Sequence, residues 1–143
     1  MTTSALPLDH SGLEILPLQD CLTHLRSARM GRLAFFSDGY PIILPVNHGM
    51  DGDSIVFRTS IGSKFAAAQN EMPVAYEIDA IDADRRAGWS VLVRGDARTV
   101  DDPAEVDRLN RLGIWPFADA VERTHWVRIS AHEITGRKVI HPR

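Results

Sequence analysis

Along the chain, apolar positions first recur at helical spacing and then switch to the two-residue alternation of strands. Leu18, Cys21, Leu22 and Leu25 lie three or four apart, which predicts a helix from Leu18 to about Ala28. Gly31 can end it, and Arg32 to Phe36 then reads as a strand. Asp38-Gly39 is a tight-turn signal, followed by a second strand from Tyr40 to Asn47. A turn at Asp51-Gly52-Asp53 introduces a third strand, Ile55 to Thr59, and the three together predict an antiparallel meander.

A short helix is expected from about Ser63 to Asn70, then a strand from Val74 to Ile78. The aspartate-rich connection Ala80 to Arg86 leads into GWSVLVRGDARTV, a long β-branched and alternating run. Asp101-Asp102-Pro103 announces a helix from about Ala104 to Leu112. His125 to Ile129 reads as the last long strand, with a separate strand near Glu133 to Val139. Regular helix–strand alternation is missing, which argues against a doubly wound α/β fold. Six or seven hairpin-linked strands with short helices favour a closed or nearly closed antiparallel barrel.

Composition narrows the class. The chain has 143 residues, 44% of them apolar and 24% charged, as expected for one globular domain. Residues 1–12 read as a loosely ordered arm and 13–143 as the domain. A net charge of −3 argues against nucleic acid or an anionic membrane as partner, so any anion site is a local pocket. The single cysteine, Cys21, excludes an intrachain disulfide and a cysteine zinc cluster, and its amphipathic setting marks it as a small buried hydrophobe. No apolar run has the roughly eighteen residues of a membrane span. The start of the chain lacks a signal-peptide pattern, and a cytoplasmic location is expected.

Candidate chemistry concentrates at residues 58–64, RTSIGSK, between a predicted strand and a predicted helix. Arg58 and Lys64 bring full charges, and Thr59, Ser60 and Ser63 bring hydroxyls, a set suited to a phosphate. The spacing does not match a nucleotide P-loop. The residues alone leave a second reading open, in which Ser63 is only an N-cap and Lys64 a solvated first-turn residue. The six histidines show no metal-binding spacing, and no metal is expected. His48, directly after the second strand, is a candidate for the substrate face. No Ser/His/Asp or Cys/His constellation is readable, so no catalytic side chain is assigned.

Taken in order, the segments resemble the pyridoxamine 5′-phosphate oxidase-like, FMN-binding split-barrel family. GRLAFFSDGYPIILPVN resembles its opening hairpin, and GDSIVFRTSIGSK its phosphate-binding strand, turn and helix start. EMPVAYEID, GWSVLVRGDARTV and HWVRISAHEITGRKV resemble the strands that follow, so the likeness spans roughly residues 18 to 140. It is nearest to the small, uncharacterised and nitroimidazole-resistance-like branch. The vitamin enzyme's terminal arginine- and histidine-containing signature has no match here, so pyridoxamine phosphate oxidation itself is not expected.

The resemblance implies a mainly β fold with short helices, an antiparallel six- to seven-stranded split β-barrel. It implies FMN as cofactor, with the phosphate held by Arg58, Thr59, Ser63 and Lys64. Leu44, Pro45, Val46 and Asn47 would line the flavin ring, and Pro45 suits an edge position because it cannot donate a ladder hydrogen bond. Trp89 and Ser90 would approach the ring. Trp126 and Arg128 would reach it from the partner subunit. The residues alone leave core packing open for Trp89, a turn role for Asn47 and surface ion pairing for Arg128.

The implied protein is a homodimer with flavin at the interface. It would be an oxidoreductase passing hydride or electrons from a reduced donor to a small planar acceptor. A deazaflavin is the alternative cofactor, its longer anionic tail met by Arg32, Arg94 and Arg98. A flavin-binding or sensing module without catalysis is the alternative role.

Overall fold

The computed structural model describes residues 6–60, 62–116 and 124–140, the side chain of residue 140 excepted. Of the predicted arm, residues 1–5 lie outside this range. Within residues 6–12, Leu8 bridges to Glu14, and Asp9 accepts from Ser11, Leu13 and the Arg137 guanidinium.

Three helices form among the described residues, close to the expected spans: α1, Leu18–Ser27; α2, Ser63–Gln69; and α3, Pro103–Asn110. α3 is started by Asp102, whose carboxylate accepts from the Glu105 N–H, with Pro103 in its first turn. The strands are β1, Glu14–Ile15; β2, Met30–Ser37; β3, Tyr40–Asn47; β4, Gly49–Asp51; β5, Ser54–Thr59; β6, Pro73–Asp82; β7, Ala87–Val100; and β8, His125–Ile140. They form one antiparallel sheet in the order β3-β2-β6-β7-β8-β5-β4, with β1 added to β8. The sheet curls into a half-barrel, and its ends, β3 and β4, do not pair. The mainly β, antiparallel split barrel is thus the fold that the sequence indicated.

Two local expectations are corrected. The predicted meander is absent, because β5 pairs with β8 and β4 and not with β3. The tight turn at residues 51–53 closes a β4–β5 hairpin, while the chain leaves β3 at His48, a buried residue whose ring is tied into the core. The two strands read at the C-terminal end are one, β8. A bulge explains the misreading: Arg94 pairs with Glu133 and Gly95 with Ala131, so His132 is skipped and the alternation shifts phase. Gly95 permits this approach, since a Cβ there would lie 2.0 Å from the Ser130 carbonyl oxygen.

Alternation along the long strands sends one set of side chains inward. Leu33, Phe57, Tyr76, Ile78, Val93 and Ile129 meet Cys21 and Leu25 of α1 and Ala67 and Ala68 of α2. Each large apolar side chain so buried contributes roughly 1.5–3 kcal/mol. A smaller cluster, Val56, Val100, Leu109 and Trp126, lies on the other face of β5, β7 and β8 beneath α3. No helix among the described residues is long and apolar enough to cross a membrane.

Candidate functional site

The site arises where the sheet fails to close. β3 is an edge strand, as Pro45 implied, and its end faces the end of β5 across a cleft of about 80 Å³. Pro45 and Val46 form one wall, Arg58, Thr59, Ser60 and Lys64 the other, and Pro116 adds a lip. Five residues assigned from the sequence are therefore brought together: Pro45, Val46, Arg58, Thr59 and Lys64.

Two cations line this cleft. Among the described residues, Arg58 and Lys64 have no carboxylate partner, and Arg58 Nε is buried without a hydrogen-bond acceptor. The Arg58 guanidinium lies 5.4 Å from the centre of the Trp126 ring, within cation–π range. Burial pushes the Lys64 ammonium below its ordinary pKa. A buried donor or cation without a partner costs stability, and an anion in the cleft would remove that cost. Thr59 Oγ1 meanwhile donates to the Ser60 carbonyl at 3.3 Å. The capping reading of Ser63 does not hold, because the N-cap of α2 is Gly62 and no side chain caps it. Ser63 is exposed at the first turn, beside the cleft but not lining it.

Trp126 and Arg128 are engaged within the chain. Trp126 is 3% exposed, and its indole N–H donates to Asn110 Oδ1 at 2.8 Å. Arg128 donates to Asp51 at 2.7 Å and to Glu105 at 2.9 Å, tying β4, β8 and α3 together. Hydrogen bonds from Arg108 and Arg128 hold the Asp51 carboxyl down at about 2. Trp126 thus meets the cleft only as the platform under Arg58.

Trp89 and Ser90 lie elsewhere. Val100 pairs with Trp126, and Trp126 with Arg58, so the anion cleft sits at the Val100 end of β7. Trp89 is at the other end, roughly 36 Å away along the strand. There it stacks on His24 with ring centroids 3.7 Å apart, in a cleft of about 330 Å³ that Ser90, Arg137 and Lys138 also line.

Leu44 packs against the main core. Asn47 lines a separate cleft of about 490 Å³. His48 is buried, and both ring nitrogens are occupied: Nε2 donates to the Leu25 carbonyl at 2.9 Å, which leaves Nδ1 to accept from the Tyr76 hydroxyl at 2.6 Å. Burial lowers the His48 pKa and raises that of Tyr76. No His48 ring nitrogen is left free to meet a substrate.

The arginines considered for an anionic tail are neutralised. Arg32 pairs with Glu77 and Asp79, Arg94 with Glu133, and Arg98 with Glu105. Sequence reasoning overlooked Pro116, and it named Trp126 for the flavin ring and not as a platform under Arg58. Neither carries a local signal, since each meets Arg58 or its neighbours only through the tertiary fold.

Comparison with known proteins gives the family of the chain. The family model described as pyridoxamine 5′-phosphate oxidase matches residues 17–138, and the chain belongs to that family. An uncharacterized protein of Mycobacterium tuberculosis is 34% identical over 137 residues, covering 91% of this chain and 89% of that one. The structure of an FAD binding protein from Mycobacterium smegmatis superposes with a TM-score of 0.73 at 36% identity, covering 87% of this chain and 98% of that one. A conserved protein of unknown function from Corynebacterium diphtheriae gives 0.73 at 30% identity, covering 90% and 98%.

Proposed function

We propose that the chain binds a flavin nucleotide and is an oxidoreductase working through it. The observation that carries this reading is the pair of cations, Arg58 and Lys64, in one small cleft without a carboxylate partner among the described residues, with the Arg58 guanidinium over Trp126 and its Nε unbonded. A phosphate fits such a donor set, because charge-assisted bonds to Arg and Lys are strong and Thr59 and Ser60 complete the shell. The similarity to a protein that binds FAD supports a flavin as the phosphate's owner.

In this reading Arg58 and Lys64 fix the phosphate, and Pro45 and Val46 at the sheet edge orient what extends from it. A bound flavin supplies hydride or electron transfer between a reduced donor and a small planar acceptor. No described acid–base pair in the cleft demands a further chemical role of the protein. Trp89 and Ser90 serve the same flavin only if a second copy supplies them, since one chain holds them too far from Lys64. We therefore infer a homodimer with composite sites. The outer face of β2, β3, β6 and β7 suits such a contact, because Phe36, Ile43 and Ile81 are exposed there around the Arg32 ion pairs.

The test is the 300–550 nm absorption of purified protein after incubation with flavin and desalting. Retained flavin bands, lost on combined Arg58→Ala and Lys64→Ala substitution, are expected. No retained flavin would end the reading. Flavin that is held but not reduced by reduced nicotinamides or other donors would leave a binding or sensing module.

A further inference from the structure

We propose that the cleft lined by Arg29, Asn47 and Trp115 is a second small-molecule site, and that it takes a planar aromatic carboxylate. The site is separate from the anion cleft and does not rest on the flavin reading.

The walls of this cleft are fixed before any ligand arrives. Its volume of about 490 Å³ lies in the range of small-molecule pockets, roughly 300–1,000 Å³. One wall is tied through the backbone: the His48 N–H donates to the Arg29 carbonyl at 2.9 Å, and Met30 pairs with Asn47. Beside them the buried His48 ring is held by the Leu25 carbonyl and the Tyr76 hydroxyl. Another wall is the chain that follows α3. Ile114 anchors it on the cluster of Val56, Leu109 and Trp126, and lies so close to Gly49 that a Cβ there has no room. The next residue, Trp115, is thereby set at the cleft. Positions fixed in advance lower the cost of ordering on binding.

Each part of the ligand follows from a group left unused. Trp115 is 71% exposed, which leaves an indole face open to a planar ring. Met50 and Ile114 offer that ring apolar contact. Arg29 has no carboxylate partner among the described residues, and no described carboxylate lines the cleft. A guanidinium meets a carboxylate through a fork of two hydrogen bonds. The half-buried Asn47 side chain also has no partner among the described residues, and its amide can donate one more. The charge points to a monoanion, because Arg26, the other arginine of the cleft, is paired with Asp53 at 2.9 Å. A cationic ligand would meet only like charge here, and a dianion would lack its second cation.

The test is calorimetric titration of the purified full chain with three probes: 2-naphthoate, its neutral amide and cyclohexanecarboxylate. 2-Naphthoate is expected to bind about tenfold or more tightly than either of the others, since one lacks the charge and the other the aromatic face. Arg29→Met should bring 2-naphthoate down to the level of the amide, and Trp115→Ala to the level of cyclohexanecarboxylate. Both side chains are exposed, so both variants should keep the wild-type Tm. Should either lose Tm, the ranking of the three probes on the wild type decides. Equal binding of acid and amide, an unchanged 2-naphthoate affinity in either variant, or no binding of 2-naphthoate would each overturn the site. A loss in Trp89→Ala without one in Arg29→Met would put the probe in the Trp89 cleft and overturn it as well. No flavin is added, so none of these outcomes bears on the flavin reading.

Discussion

Lys64 illustrates a residue whose surroundings suit a ligand better than they suit the free fold. Lys64 is half-buried, and its ammonium has no partner among the described residues. Lys64→Met keeps the length of the side chain and removes the charge. The variant is expected to match or exceed the wild-type Tm without flavin, yet to bind flavin about 10- to 100-fold more weakly, the worth of a charge-assisted bond. A parallel loss of Tm would show that Lys64 is structural. His48 behaves oppositely, being satisfied and neutral inside. Burial holds its folded pKa below the unfolded value of about 6.5, so below that pH the unfolded chain takes up the proton first. Stability is expected to fall as pH drops through this window and to level off below the folded pKa. His48→Gln should flatten the Tm–pH slope between pH 7.5 and 5.5, though not abolish it, since burial lowers the His24 pKa as well. Arg58, Thr59 and Lys64 were legible in the sequence because strand, turn and helix start follow one another. The Trp126 platform was not, because Trp126 meets Arg58 only through β5–β8 pairing of distant segments.

Between elements, Arg128 clamps β4, β8 and α3 together. Arg128 is 8% exposed at its side chain and holds two carboxylates, whereas Arg108 is 56% exposed and holds one of them. Removing a buried partner strands charges that an exposed one does not. Arg128→Met is therefore expected to cost about 3 kcal/mol in denaturant unfolding. Arg108→Ala should cost less than about 1 kcal/mol. Equal effects would contradict the burial argument. Asp51 gives the pH signature: its folded pKa of about 2 lies under the unfolded value, so its contribution is present above about pH 4 and is lost as pH falls toward the folded pKa. The stability gap between wild type and Asp51→Asn should close over that interval. At this scale α1 was readable from its apolar spacing, α3 from its Asp102 cap, and β3 to its end residues. β8 was split in two because a bulge at His132 reverses the alternation, and the false meander came from treating every tight turn as joining neighbours in the sequence pattern.

The whole molecule leaves one question of placement: the anion cleft and the Trp89 cleft occupy opposite ends of the same long strand. One chain cannot set both against one flavin mononucleotide moiety, but two chains related by a two-fold axis can each lend the other its far end. Mixed dimers test this directly. Suppose Lys64→Met and Trp89→Ala each abolish flavin retention as homodimers. In a mixed dimer of composite sites, one site then carries both lesions and the other carries none, so each mixed dimer regains about half the wild-type flavin content and a randomly reassociated equimolar mixture about a quarter. If each site lay within a single chain, every site in the mixed dimer would carry one lesion and nothing would be restored. The flavin absorbance per dimer after co-refolding decides between them. Restoration would also explain why Trp126 and Arg128, spent on α3 and β4, leave the ring face of the site to residues from the opposite end of another copy.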